Sequence, residues 1–196
     1  QRIQHDPSNP TSLSANEINC LYEDRQGNLW IGTERGGLNK IQISPSNWFQ
    51  AYTHHDFDLA ENSLTVYALL KLRNNKEIWA GTNHGIFVFD AEYNELKKQV
   101  LTGEENKQVR SLFEDSQGNI WIGFLSGHAA LIRHNKRETF ELEPLPKQPG
   151  SMRRIEESSQ GEIWTSCNGM TKWVNGQFNQ FYLHRLPEST PRTPVP

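Results

Sequence analysis

An all-β fold follows from three features of the sequence. Tryptophan recurs in one local setting at positions 30, 79, 121 and 164, at spacings of 49, 42 and 43 residues. Short runs rich in β-branched and aromatic residues alternate with clusters of Gly, Asn, Pro and Ser, the pattern of strands joined by tight turns. No long stretch carries the 3.6-residue apolar period of an amphipathic helix. A repeat of this length suits a four-stranded propeller blade of roughly 40 to 50 residues. The chain is therefore read as a β-propeller segment of four blades, each of four antiparallel strands.

The first blade places strands at 18–23, 29–33, 37–43 and 48–53. The second places them at 65–71, 77–81, 85–90 and 95–100, and the third at 108–113, 119–123, 129–134 and 138–143. The fourth places them at 152–157, 162–166, 170–174 and 177–183. Residues 1–15 read as the tail of a preceding blade and an inter-blade loop. The blades then span 16–62, 63–106, 107–150 and 151–183, and 184–196, with four prolines, reads as a linker. A start at Gln1 rather than Met is expected of a processed or excised piece of something longer.

The hairpin between the first two strands explains itself residue by residue. Gly27, Gly118 and Gly161 supply the positive φ that a tight turn with a bulge requires. Asp24 and Asp115, three residues earlier, can cap the turn with a carboxylate, and Ser158 is a weaker version. The second blade has Asn74-Asn75 there, Asn being the next best residue for the left-handed region. Trp30, Trp79, Trp121 and Trp164 sit midway along the second strand, where an indole can bury some 150–250 Å² between sheets. Gly32, Gly81 and Gly123, two residues on, leave room for close approach.

Composition excludes several functions. Twenty Lys and Arg against 23 Asp and Glu leave a net charge of −3, with no electrostatic footprint for nucleic acid. Twenty aromatic residues (6 Trp, 5 Tyr, 9 Phe) argue against disorder. The longest apolar runs, such as Val66 to Leu70, are too short to span a bilayer, so no membrane contact by this segment is expected. Two cysteines cannot build a disulfide framework or a four-ligand zinc site.

The stretch Glu23-Asp24-x-x-Gly27-Asn28-Leu29-Trp30-Ile31-Gly32-Thr33-x-x-Gly36-Gly37-Leu38 resembles the two-component regulator propeller repeat. So does the approach His5-Asp6-Pro7-Ser8-Asn9-Pro10-Thr11-Ser12-Leu13-Ser14, which looks like that family's inter-blade loop. The resemblance covers about residues 5 to 175 and is worn in the fourth blade, where Trp164-Thr165-Ser166 has lost the glycine. It implies a sensor segment of a bacterial signal-transduction receptor, a histidine kinase, hybrid two-component system or diguanylate cyclase, lying outside the inner membrane in the periplasm. Any output enzyme then lies elsewhere in the polypeptide, and this segment carries no catalysis.

Several constellations have plainer roles. His54-His55-Asp56-Phe57-Asp58 has metal-ligand chemistry, but it occupies the inter-blade slot of His5-Asp6-Pro7, and adjacent histidines on an extended chain point apart. No metal or other cofactor is therefore expected. Ser126, His128, Cys167 and His84 offer nucleophile and base types without a nucleophile elbow. Glu104-Glu105, Glu156-Glu157 and Lys97-Lys98 read as solvated surface. Polar variability between equivalent positions points elsewhere. Asn19, Tyr67, Arg110 and Arg153 start the innermost strands, and Glu34, Arg35, Asn83, His84, Ser126, His128 and Asn168 lie on the links between second and third strands. Both sets belong on one propeller face and suit a carbohydrate or other polar ligand, with guanidinium forks for a carboxylate or sulfate. A propeller lyase or hydrolase, with His84 and Glu34 as its acid–base pair, and a plain protein-interaction platform are the alternatives. A propeller of four blades also leaves an uncovered sheet face at each end, so the remaining blades of the same protein or a second copy are expected partners.

Overall fold

The computed structural model describes residues 2–24, 26–42, 48–60, 63–73, 77–90, 95–100, 108–136 and 142–180. They form four antiparallel four-stranded sheets, each in chain order. The first holds β1 (Ile18–Glu23), β2 (Asn28–Thr33), β3 (Gly37–Gln42) and β4 (Trp48–Tyr52). The second holds β5 (Val66–Lys71), β6 (Glu77–Thr82), β7 (Gly85–Asp90) and β8 (Leu96–Val100). The third holds β9 (Val109–Glu114), β10 (Ile120–Phe124), β11 (Ala129–Ile132) and β12 (Glu143–Leu145). The fourth holds β13 (Arg154–Glu157), β14 (Ile163–Ser166), β15 (Met170–Val174) and β16 (Gln177–Gln180). The first strands touch in succession, β1 on β5, β5 on β9 and β9 on β13, so each sheet is a blade and these four strands are innermost.

Of the outer strand expected at 138–143 in the third blade, 138–141 lie outside the described residues. Its described part runs over Glu143–Leu145, two residues past the expected end, and a 3-10 turn spans His134–Lys136. In that strand's pairing Ala129 lies opposite the buried Leu145 and Leu131 opposite Glu143, whose two oxygens accept from Arg133 Nε and Nη2 at 2.8 and 3.0 Å on the surface. The expected linker at 184–196, the Asn74-Asn75 turn and Glu104-Glu105 lie outside the described residues.

The second-strand tryptophans of the first three blades face the following blade. Trp30 packs with Val66, Ile78 and Ala80 of the second blade. Trp79 packs with Val109, Ile120 and Ile122 of the third, and Trp121 with Met152, Ile155 and Ile163 of the fourth. Burying an indole N–H without an acceptor costs free energy, and the structure supplies one in two ways. In the first and third blades it is the turn aspartate. Asp24 accepts from Trp30 Nε1 at 2.9 Å and from the backbone N–H groups of Gln26 and Asn28, both at 2.9 Å. Asp115 repeats this with Trp121 at 2.8 Å, Gln117 at 3.0 Å and Asn119 at 2.8 Å. The second and fourth blades lack that aspartate and use the residue two before the Trp: Glu77 accepts from Trp79 at 3.2 Å and Glu162 from Trp164 at 3.3 Å. Ser158 caps its own turn, accepting from Gln160 and Glu162 N–H groups at 3.2 Å.

The glycines two residues after the Trp make room for a side chain of the next blade. A Cβ on Gly32 would lie 2.8 Å from Val66 Cγ1, one on Gly81 2.8 Å from Val109 Cγ1, and one on Gly123 2.7 Å from Met152 Cγ. Cys20 also presses on Gly32, and burial pushes its thiol up to about 12, so it is a packing group rather than a nucleophile.

Two surface expectations change. Glu157 is not merely solvated: its carboxylate reaches across to the third blade and accepts from Ser116 N and Oγ, each at 2.6 Å. Glu114 does the same for Arg73 N of the second blade at 2.7 Å. His54 and His55 do not point apart, because Thr53 caps a 3-10 turn over His54–Phe57 and brings the two rings to 4.0 Å between centroids.

Two predictions follow from this packing. Burial works to raise the Asp24 carboxyl, but hydrogen bonds from Trp30, Asn28 and Gln26 outweigh it and hold the group below its ordinary 3.8. Its stabilisation is therefore complete above the unfolded-state value and is lost as pH falls through the lower folded-state value. Asp24→Ala strands buried donors and should destabilise the chain by about 1–3 kcal/mol at neutral pH. In urea unfolding the deficit should shrink as the pH is taken below 4; a pH-independent deficit would refute the ionic account. Gly81→Ala should cost about 1–3 kcal/mol by overpacking. Adding Val109→Ala should cost less than the sum of the single changes, read from the same unfolding midpoints.

Candidate functional site

The two predicted residue sets meet on one edge of the blades, because the end of each second strand pairs with the start of the first. Four backbone hydrogen bonds close this edge: Glu34 N to Glu17 O at 2.9 Å, Asn83 N to Thr65 O at 3.1 Å, Leu125 N to Gln108 O at 2.9 Å and Arg153 N to Ser166 O at 3.1 Å. The links themselves are tight. Arg35 and Asn168 adopt positive φ, 61° and 48°, which lets each link reverse within a few residues.

Within this edge the most developed group joins the second and third blades. The Arg110 guanidinium carbon lies 4.1 Å from the centre of the Tyr67 ring, a cation–π stack. The Tyr67 hydroxyl donates to Gln108 Oε1 at 3.4 Å. Arg110 and Tyr67 are half-buried, so the stack fixes the arginine while its N–H fork retains donors for a ligand. Gln108 was missed because the comparison between blades took the residues that follow Ile18, Val66, Val109 and Met152, and Gln108 precedes Val109.

A second pair bridges the first two blades. Asn19 Nδ2 donates to Glu34 Oε2 at 3.1 Å and to the Val66 carbonyl at 3.1 Å, so Glu34 is engaged by an amide, not by His84. Asn83 is spent on architecture: its Oδ1 accepts from Thr65 N at 2.8 Å and its Nδ2 donates to Ser63 O at 2.5 Å. Those bonds tie the inter-blade segment down, and Arg35 N reinforces it through Thr65 Oγ1 at 3.0 Å. His84 Nε2 is buried with no hydrogen-bond partner among the described residues. Ser126 Oγ and His128 Nδ1 lie 3.0 Å apart inside one link, with no carboxylate bonded to that imidazole among the described residues. Arg153 and Asn168 are exposed on the fourth blade. Among the described residues no three His, Cys, Asp or Glu side chains converge as a metal site would require. Cys167 is buried and its Sγ lies 3.0 Å from the Gly150 carbonyl, with its thiol raised by burial.

Comparison with known proteins matches this architecture. No curated protein matches the chain in sequence. Among solved structures, the extracellular domain of a protein assigned as a hybrid two-component system in B. thetaiotaomicron superposes with a TM-score of 0.70 at 19% identity. That alignment covers 92% of this chain and 24% of the other, so the chain spans about a quarter of its relative. A second extracellular domain from a B. thetaiotaomicron hybrid two-component system gives a TM-score of 0.66 at 20% identity, over 90% of this chain and 26% of that one. Virginiamycin B lyase from Staphylococcus aureus, in a catalytically inactive form with quinupristin, gives 0.65 at 15% identity, over 84% and 55%. At these identities the likeness is one of fold. The sequence model described as two component regulator propeller matches residues 12–35 and 103–125, the entries into the first and third blades. The chain thus has four sheets of β-propeller topology, and the two component regulator propeller signature leads into two of them.

Proposed function

We propose that this chain is a sensor segment of the extracytoplasmic propeller of a bacterial signal-transduction receptor, binding a polar or anionic ligand and catalysing nothing itself. The observation that carries the ligand reading is the Arg110 guanidinium stacked on Tyr67 at the edge where the innermost strands begin. A guanidinium held by an aromatic face has already lost much of its rotamer freedom, so a bound carboxylate or sulfate orders it at little further cost. The regulator-propeller matches and the extracellular-domain neighbours support the receptor setting. No helix among the described residues is long and apolar enough to cross a membrane. A kinase or diguanylate cyclase would belong to another part of the polypeptide. The blades are close-packed, so the signal passes as a change of geometry between this propeller and its neighbours rather than as repacking of a blade.

The test is a calorimetric titration against neutral, uronic and sulfated oligosaccharides. An acidic glycan should bind, and Arg110→Ala should weaken it at least tenfold, the loss of a charge-assisted fork of about 1.5–3 kcal/mol. Unchanged affinity would exclude Arg110 as the ligand's anchor, and no binding across the panel would favour a protein-interaction platform.

One observation favours a second reading. His84 Nε2 is buried on the same edge without a partner among the described residues, and a lyase shares the fold. If this were a lyase site, quinupristin incubated with the chain would be consumed, as followed by mass spectrometry, and His84→Ala would abolish that consumption. Intact quinupristin after prolonged incubation would remove that substrate from consideration.

A further inference from the structure

The first three blades share an irregularity at one position, where the ladder between first and second strands slips by a residue. In the first blade Ile18 pairs with Thr33 and Cys20 with Gly32, so Asn19 is the extra residue. In the second Val66 pairs with Thr82 and Ala68 with Gly81, which leaves out Tyr67. In the third Val109 pairs with Phe124 and Ser111 with Gly123, which leaves out Arg110. A bulge takes its extra residue out of the ladder and re-aims the side chain, and bulges concentrate beside functional sites. Val66 and Val109, just before the bulges, close on glycines of the preceding blade. That packing places no demand on the next side chain, and the three are an amide, a phenol and a guanidinium.

These three residues are joined across the blades. The Asn19 amide nitrogen donates to Glu34 Oε2 and to the Val66 carbonyl, each at 3.1 Å. Val66 is followed by Tyr67, whose ring carries the Arg110 guanidinium at 4.1 Å. A carboxylate on the first blade and a guanidinium on the third therefore stand at the two ends of one row. Each is held by a neighbour, Glu34 by an amide and Arg110 by an aromatic face.

We infer that Glu34 is a specificity-determining residue of the Arg110 site. The ligand it selects is an acidic saccharide whose charged residue lies on Arg110 and whose next residue is neutral and donates a hydroxyl to Glu34. This rests on the reading of Arg110 as the ligand's anchor. A carboxylate strengthens the hydrogen bond from a neutral sugar's hydroxyl and repels a second carboxylate in the same place. Saccharides charged on every residue are thereby disfavoured at this end of the row. Asn19 is a positioning residue, since it touches the ligand's partner and ties it to the second blade.

Calorimetric titration of the 196-residue chain with galactobiose, galacturonosyl-galactose and digalacturonate tests this. The Arg110 reading expects galacturonosyl-galactose to bind more tightly than galactobiose, and Arg110→Ala to remove the difference. Glu34 has a separate signature. Glu34→Gln keeps an oxygen that accepts from Asn19, so the row is preserved. It should weaken galacturonosyl-galactose about fivefold, the difference between a charge-assisted and a neutral hydrogen bond. Digalacturonate should bind as before or more tightly, so the ratio between the two acids moves about fivefold or more toward digalacturonate. Equal loss for both acids, or loss for neither, would overturn the Glu34 assignment and leave that of Arg110 in place. Acids that bind no better than galactobiose would remove the Arg110 reading and this inference with it.

Discussion

Everything in this molecule depends on burying an indole between two sheets without stranding its N–H. A blade presents two faces, and both must be covered for the stack to be stable. The tryptophan supplies the area, and a carboxylate supplies the acceptor. In the first and third blades the carboxylate belongs to the hairpin aspartate, which also ties the turn through two backbone N–H groups. Turn, strand and inter-blade contact are thereby one cooperative unit. Where that aspartate is replaced, by Leu72 or Ser158, a glutamate two residues before the Trp takes the indole instead. One packing problem has two side-chain solutions within the same chain.

The joint around Trp30 shows how demanding this burial is. Tyr52 stacks near the ring at 6.3 Å between centroids, Phe89 tilts against it at 6.1 Å, and the Lys40 ammonium lies 4.8 Å from its centre. Burial lowers the pKa of Lys40, and the nearby Asp24 pulls it back. The cation is held by the same aspartate that holds the indole, so losing that carboxylate would leave two groups uncompensated. A scaffold so constrained does not bend in the middle of a blade. Variation is left to the edge where the inner strands start and the links turn, which is where Arg110, Tyr67, Asn19 and Glu34 gather.

Much of this was legible in the residues. The Trp–x–Gly signature located the second strands, and the Asp–x–x–Gly–Asn turn located the caps, because both are local devices whose partners lie within six residues. The co-location of the two candidate sets on one edge was legible too, since strand direction alternates. Three things were not. Glu157 read as surface because its partner, Ser116, lies 41 residues away in another blade. The outer strand of the third blade reaches Leu145, two residues past its expected end, because its partner is β11, distant along the chain, and pairing sets Leu145 opposite Ala129. Asn83 read as a ligand contact, although its amide holds the inter-blade segment through Thr65 and Ser63.

The sequence by itself determined the fold class, the number of blades and the strands that carry the tryptophans, because repeat length, turn chemistry and side-chain period are properties of neighbouring residues. Only the tertiary structure decided which polar residues are free to act. Stacking the blades brought Arg110 over Tyr67 and spent Asn83 and Glu157 on architecture. Such pairings depend on residues distant along the chain.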